Sequence, residues 1–235
     1  MDALARIPPL RMDRSRYAAP QVFDALRELI VSVELAPGVQ LPRAELAERY
    51  GVSQTPVRDA LMKLGEEGLV DIFPQHATLV SRIDIAAARQ AHFLRRSIEL
   101  ELVRSHAAGD AAAGAQLVAR LRGHIERQAK ALAPQAYGDF TLADREFHRE
   151  LYEAAGFGEL WLLVRQRSGH VDRLRRLHLP AKGKAQAVVK DHRAIVDAIE
   201  RRDPEEAQEA VRTHLAGTLA FIDEIRAKYP DYVIG

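Results

Sequence analysis

Four side chains in the second half of the chain combine metal-ligand chemistry with helical spacing. Asp144 and His148 stand four residues apart within the apolar stripe Phe140, Phe147, Leu151 and Ala155, and therefore share one helix face. His192 sits inside the stripe Val188, Ile195 and Ile199, and His214 inside Val211, Leu215, Thr218 and Ile222. A lone histidine on an apolar face is usually a hydrogen-bonded core residue. A carboxylate differs, because burying it costs heavily unless it is paired or metal-bound. One aspartate and three imidazoles on the inward faces of three helices are more economically read as a divalent-metal site than as four coincidences. Imidazole with carboxylate suits zinc or nickel, and four protein ligands would leave open positions for water or for an effector carboxylate.

Two further residues fit the effector role. Arg95 borders the Ala91, Leu94, Ile98 and Leu102 stripe and could form a fork with a small carboxylate. Simple pairing with Glu99 at i,i+4 is the other option. His170, near the Leu163 and Leu174 face of another helix, could line the same pocket. His92, His106, His124 and His178 have no such context and read as surface residues.

The elements that must position these groups are helical. From Asp84 to Tyr229 only the helical period appears, interrupted at Gly109, Pro134, Gly156-Phe157-Gly158, Pro180 to Gly183 and Asp203-Pro204. These breaks predict about six helices in an antiparallel bundle. The first 82 residues read differently. Residues 1–16, with Pro8, Pro9 and four arginines, predict a flexible arm. A helix is expected from about Pro20 to Glu34, ended by Pro37-Gly38, another over Arg43 to Tyr50, and a third from Gln54 to Glu67 with Ser53 as its cap. Short β-prone runs, Leu69 to Phe73 and Thr78 to Val80, flank Pro74-Gln75-His76-Ala77 and predict a hairpin. Three helices and a hairpin make a winged helix. The expected fold class is therefore mainly α, a winged helix-turn-helix at 17–82 followed by an all-helical metal- and effector-binding domain at 84–229.

Composition narrows the class. The 235 residues carry 34 Lys and Arg against 33 Asp and Glu, which is an ordinary soluble balance, and no cysteine, which excludes disulfide frameworks and thiolate metal sites. Residues 1–82 hold 10 basic and 11 acidic side chains, so nucleic-acid binding must rest on where the arginines sit. No apolar run approaches a membrane span and no apolar leader core is present, so the expected setting is cytoplasmic, with no membrane partner.

The segment from Pro37 to Val70 holds Pro37-Gly38, Glu45-Leu46-Ala47, Gly51-Val52-Ser53, Thr55-Pro56-Val57-Arg58, Ala60-Leu61-x-x-Leu64 and Glu67-Gly68-Leu69-Val70 in order. It closely resembles the signature of the GntR family of transcription regulators. The resemblance implies DNA contacts from Arg43, Arg58 and the wing tip at His76. The third helix presents Ser53, Gln54, Thr55 and Arg58 at the end that enters a major groove, with Arg58 suited to guanine. Arg43 and Arg49 would hold the phosphate backbone. Gln54 stands where relatives usually carry arginine, and His76-Ala77 where the wing usually reads Arg-Gly.

Asp144-x-x-x-His148, Asp191-His192 and Thr213-His214-Leu215 are similar to the FCD ligand-binding domain of the FadR subfamily, in its six-helix type. That resemblance implies one aspartate and three histidines on a divalent metal, with Arg95 at the opening of the domain. The expected function is that of a repressor, a homodimer on double-stranded operator DNA, modulated by a small carboxylate metabolite. Two alternatives stand beside it. One is a regulator for which the ion itself is the signal. The other is a metal-dependent hydrolase, against which stand the absence of an HExxH pattern and of a general base beside the ligands.

Overall fold

The computed structural model describes residues 7–8, 11–74, 76–217 and 219–235. The chain divides into two compact units. The first comprises Met1–Ala88, Gly169–Leu177 and Glu224–Gly235; the second comprises Arg89–Ser168 and His178–Asp223.

In the first unit, α1 (Ala18–Val31) buries Val22, Phe23, Leu26, Leu29 and Ile30 against α3 (Gln54–Glu66). It stops short of Glu34 because Val33 turns left-handed at φ 63°, while the Leu35 N–H closes back on the Leu29 carbonyl at 2.9 Å. α2 (Arg43–Tyr50) has the expected bounds, and Gly51, also left-handed at φ 63°, ends it. Ser53 holds the N-cap position of α3 in extended backbone, but its hydroxyl makes no capping bond. β1 (Val70–Phe73) and β2 (Ala77–Val80) pair antiparallel with Val70 opposite Val80, giving the wing. Ala77 lies in β2 without a positive φ, so an alanine in place of the usual wing glycine carries no left-handed strain there. Gln75, at the expected hairpin tip, lies outside the described residues.

Of the arm expected at 1–16, residues 1–6 and 9–10 lie outside the described residues. The remainder is anchored rather than free. Ile7 is buried and its carbonyl accepts from Arg49 Nη1, while Gln21 exchanges hydrogen bonds with the Asp13 backbone at 2.8 and 2.9 Å.

One buried ion pair ties α1 to the end of α3: Arg27 Nε donates to Glu67 Oε2 at 2.7 Å, with the two side chains 3% and 5% exposed. Removing Arg27 leaves the Glu67 carboxylate buried without its partner. Arg27→Ala is therefore expected to destabilise this unit by about 3–5 kcal/mol. Urea unfolding followed at a wing residue would register it; a change below about 1 kcal/mol would mean that the pair behaves as a solvated one.

The first unit also takes in a helix from much later in the chain. The segment 158–178, expected as one helix, is two: α7 (Gly158–Arg167) and α8 (Gly169–His178). The interruption falls at Ser168, whose hydroxyl donates back to the Val164 carbonyl at 2.7 Å. Gly169 follows because a Cβ there would sit 2.6 Å from Leu69 Cδ2. On α8, Arg173 is fully buried and donates to the Ser81 carbonyl at 2.7 Å and the Ser81 hydroxyl at 3.2 Å. A parallel bridge of β3 (Ile83–Asp84) with β4 (Val233–Ile234) adds the chain's last residues to this unit.

The second unit is built on α4 (Ile85–Ala108, from Arg89 onward), α5 (Ala111–Lys130), α6 (Tyr137–Ala154), α7, α9 (Lys184–Glu200) and α10 (Pro204–Ala216). α5 packs on both α6 and α9, and α9 on α10, around a core that includes Leu121, Phe147, Leu151, Ile195 and Val211. Asp110 and Asp203 cap α5 and α10 through their carboxylates. The last predicted helix is likewise interrupted, with α11 (Ile222–Lys228) beginning anew after Gly217; Thr218, counted in its stripe, lies outside the described residues. No helix among the described residues is long and apolar enough to cross a membrane.

Candidate metal centre and nucleic-acid interface

α6, α9 and α10 bring His148, His192 and His214 together. All three are buried, and one ring nitrogen from each lies within 4.8 Å of the others. His214 Nε2 is 3.3 Å from both His148 Nε2 and His192 Nε2. Asp144 is buried one turn before His148 and reaches His192 Nε2 at 3.7 Å. The three imidazoles therefore meet in one cluster, while Asp144 stands beside His192 and outside the set whose ligand atoms all lie within 4.8 Å of one another.

The outer ring nitrogens fix which inner ones are bare. His148 Nδ1 is 3.0 Å from Glu99 Oε2, a carboxylate that can only accept, so Nδ1 carries the proton and Nε2 presents its lone pair inward. His192 Nδ1 lies 2.7 Å from Gln128 Oε1, with the same consequence. These tautomers follow from the partners. His214 Nδ1 is buried without a hydrogen bond, the nearest carboxylate being Asp191 Oδ2 at 3.8 Å. Two bare lone pairs thus converge on a third ring nitrogen at 3.3 Å, an arrangement that a divalent cation satisfies and that one shared proton satisfies only in part. Ligand histidines that donate their outer N–H to a carboxylate or an amide oxygen are the usual supporting shell of a metal. The donor set therefore fits the group.

Charge around the cluster is arranged to keep it neutral inside. Burial pushes His148 well below the ordinary imidazole range, and Arg95 adds to this. Burial alone would raise Glu99, but Arg95 and His148 hold it below the usual carboxylate range. Phe147 walls the site, its ring stacked on His192 at 3.9 Å.

Both readings of Arg95 have a counterpart in the structure. Its Nε donates to Glu99 Oε1 at 2.7 Å, which is the i,i+4 pair. Its Nη2 is buried with no hydrogen-bond partner, which leaves a donor available for an anion. His170 is elsewhere. It belongs to the first unit, where its Nδ1 accepts from the Asp84 N–H at 3.0 Å and from Arg173 Nη2 at 3.0 Å. Burial, with Arg173 beside it, lowers its pKa to about 4. It serves the winged-helix unit's own packing.

Sequence reasoning missed Gln128, which is fully buried and holds His192 while its amide nitrogen lies 3.4 Å from Asp144 Oδ1. The signal was present: Gln128 continues the Leu117, Leu121 and Ile125 face of α5, where a polar residue needs a partner. Three histidines expected at the surface are also placed differently. His124 and His178 are buried, the latter stacked on Phe221 at 3.6 Å, and His106 Nε2 meets the Leu151 carbonyl at 2.8 Å.

In the first unit, Arg43, Gln54, Arg58 and His76 line one groove of about 490 Å³ between α2, α3 and the wing. Ser53 and Thr55 are exposed at the same end of α3. Arg58 rests on Asp59 at 3.1 Å, both well solvated. Arg49 departs from expectation, since its guanidinium holds the Ile7 carbonyl. The groove also exposes Met62, Ile72 and Phe73, at 53%, 45% and 51%, which periodicity alone did not single out.

Comparison with known proteins agrees with both halves. Residues 18–80 match the bacterial regulatory proteins of the gntR family, and residues 90–217 match the FCD domain. An uncharacterized HTH-type transcriptional regulator of Streptomyces ambofaciens is 38% identical, over 89% of this chain and 87% of its own length. The HTH-type transcriptional repressor NanR of Cronobacter sakazakii is 32% identical over 93% and 90%, and the repressor RspR of Escherichia coli 29% identical over 90% and 92%. Among solved structures, E. coli McbR/YncC shares the fold with a TM-score of 0.74 at 20% identity, covering 89% of this chain and 98% of that one. The signature from Pro37 to Val70, the helical second unit and these relatives together place the chain in the GntR family of bacterial transcription regulators, with an FCD domain: it is a DNA-binding regulator and not an enzyme.

Proposed function

We propose that this regulator is a repressor whose hold on operator DNA is set by a small carboxylate bound beside a divalent metal. The observation that carries the reading is the convergence of the His148 and His192 lone pairs on His214 Nε2, beside a buried Arg95 whose Nη2 has no partner. His148, His192, His214 and Asp144 would hold zinc or nickel. When bound, the ion supplies a positive charge and open positions that attract a carboxylate oxygen. The chain's own residues supply the rest. Arg95 offers an N–H to the second oxygen, Glu99 fixes the guanidinium, and Phe147 keeps water from the stacked face of His192. Relatives that carry the word repressor in their names support the sign.

Operator binding would come from the Arg43, Gln54, Arg58 and His76 groove in each copy of a homodimer, matched to a two-fold operator. The effector must favour one of two conformations, since a ligand bound equally by both shifts nothing. The test is fluorescence anisotropy of a promoter duplex with metal-loaded protein, titrated with a panel of small mono- and dicarboxylates. One or more should change operator affinity by about 5- to 150-fold. Arg95→Ala, compared at equal metal loading, should abolish that response. Failure of every carboxylate, or DNA binding without salt dependence, would count against the proposal. A response to metal alone would favour the ion as the signal.

A further inference from the structure

Three large apolar side chains stand exposed in the groove between α2, α3 and the wing. Met62 lies on α3, Ile72 and Phe73 on β1, and all three line the same cleft as Gln54 and Arg58. Their proximity has a cause in the sequence. β1 packs on α3 at Gly65, where an added Cβ would stand only 3.3 Å from Ile72 Cδ1. Ile72 therefore sits beside the turn of α3 that follows Met62. One exposed apolar side chain calls for no explanation, but three lining a single cleft mark a binding surface. Neither the metal centre nor the arginine contacts proposed above make use of them.

Position on the helix says what they would meet. Gln54, Arg58 and Met62 recur every four residues and so form one row along α3. On the proposed reading, that row faces the major groove of operator DNA. An α-helix rises about 1.5 Å per residue, which puts Met62 about 6 Å past Arg58, or about two base-pair steps. Base edges in the major groove present hydrogen-bonding groups, and only thymine adds a C5-methyl group. A polar edge facing the thioether would lose water and gain no bond. A methyl group there would be buried with a gain in free energy. Methionine, unbranched and flexible, can follow such a group without strain. We propose that Met62, backed by Ile72, reads a thymine methyl within about two base-pair steps of the base contacted by Arg58. This rests on the proposed use of the groove for operator DNA and adds a base preference to it.

Deoxyuridine scanning separates the methyl from the rest of the base. A duplex selected by the wild-type chain from a randomised pool is resynthesised with each thymine in turn replaced by deoxyuridine. The exchange keeps base pairing and removes only the methyl, and binding is read by fluorescence anisotropy. At one thymine of each half-site, wild-type affinity should fall about fourfold per methyl lost. Met62→Ala should lose a similar factor on the thymine duplex and then ignore the replacement, whereas Met62→Leu should stay sensitive to it. The proposal is overturned if no deoxyuridine weakens wild-type binding, if Met62→Ala keeps the full penalty, or if Met62→Ala binds the thymine duplex as tightly as wild type. Arg58→Ala, run on the same duplexes, keeps the two ideas separable. A flat scan with Arg58-dependent binding tells against Met62 alone, and a wild-type chain that prefers no duplex overturns the groove reading as well.

Discussion

His192→Ala is expected to strip the second unit of its metal. His192 is wholly buried, its Nδ1 is fixed by Gln128 at 2.7 Å, and its Nε2 is 3.3 Å from His214 Nε2 and 3.7 Å from Asp144. Changing an outer-shell partner typically costs 10- to 100-fold in metal affinity, so deleting a ligand should cost at least about 100-fold. Wild-type protein dialysed against zinc or nickel should hold close to one ion per copy by mass spectrometry and melt at higher temperature with metal, because an ion that binds only the folded state stabilises it by mass action. In His192→Ala both effects should vanish, and with them any carboxylate response. DNA binding by the first unit should remain. The control is Gln128→Ala, which leaves all four ligands but frees the His192 ring, and should lie between the two proteins. Full metal occupancy in His192→Ala would remove the basis for the site.

Arg58→Ala should weaken operator binding by about 1–3 kcal/mol, or roughly 5- to 150-fold, and relax preference at one base pair of each half-site. Arg58 stands on the exposed N-terminal half of α3, with only a solvated contact to Asp59 to surrender on binding. Arg43, at the start of α2, lines the same groove and is the proposed contact to the phosphate backbone. Its alanine variant should weaken all sequences alike and lower the salt dependence by about one phosphate contact. Competition between operator and scrambled duplex at two salt concentrations separates the two behaviours. Equal losses on both duplexes for Arg58→Ala would show that it reads no base.

What the sequence made legible follows from where local signals are strong. α2 emerged with its bounds intact because Gly51 can take the left-handed turn that stops it, and the hairpin because β-prone runs flank a turn. The histidine cluster was readable because polar residues inside apolar stripes violate the pattern. What escaped depended on distant parts of the chain. Nothing local distinguishes Arg173 from a surface arginine, yet it is fully buried on carbonyls some ninety residues away. The partners of His170, the Asp84 N–H and Arg173, were equally out of view, the first lying 86 positions away. Gln128 was overlooked because its partner lies 64 positions further on.

The DNA-binding unit, in consequence, is not a cassette that can be lifted out as one stretch of sequence. Its covering helix comes from Gly169–Leu177 and its final strand from Val233–Ile234. A fragment ended after residue 88 would bare Leu69 where Gly169 now rests and leave the Ser81 carbonyl without the guanidinium that now caps it. Grafting this specificity onto another sensor would require carrying the Gly169–Leu177 stretch along.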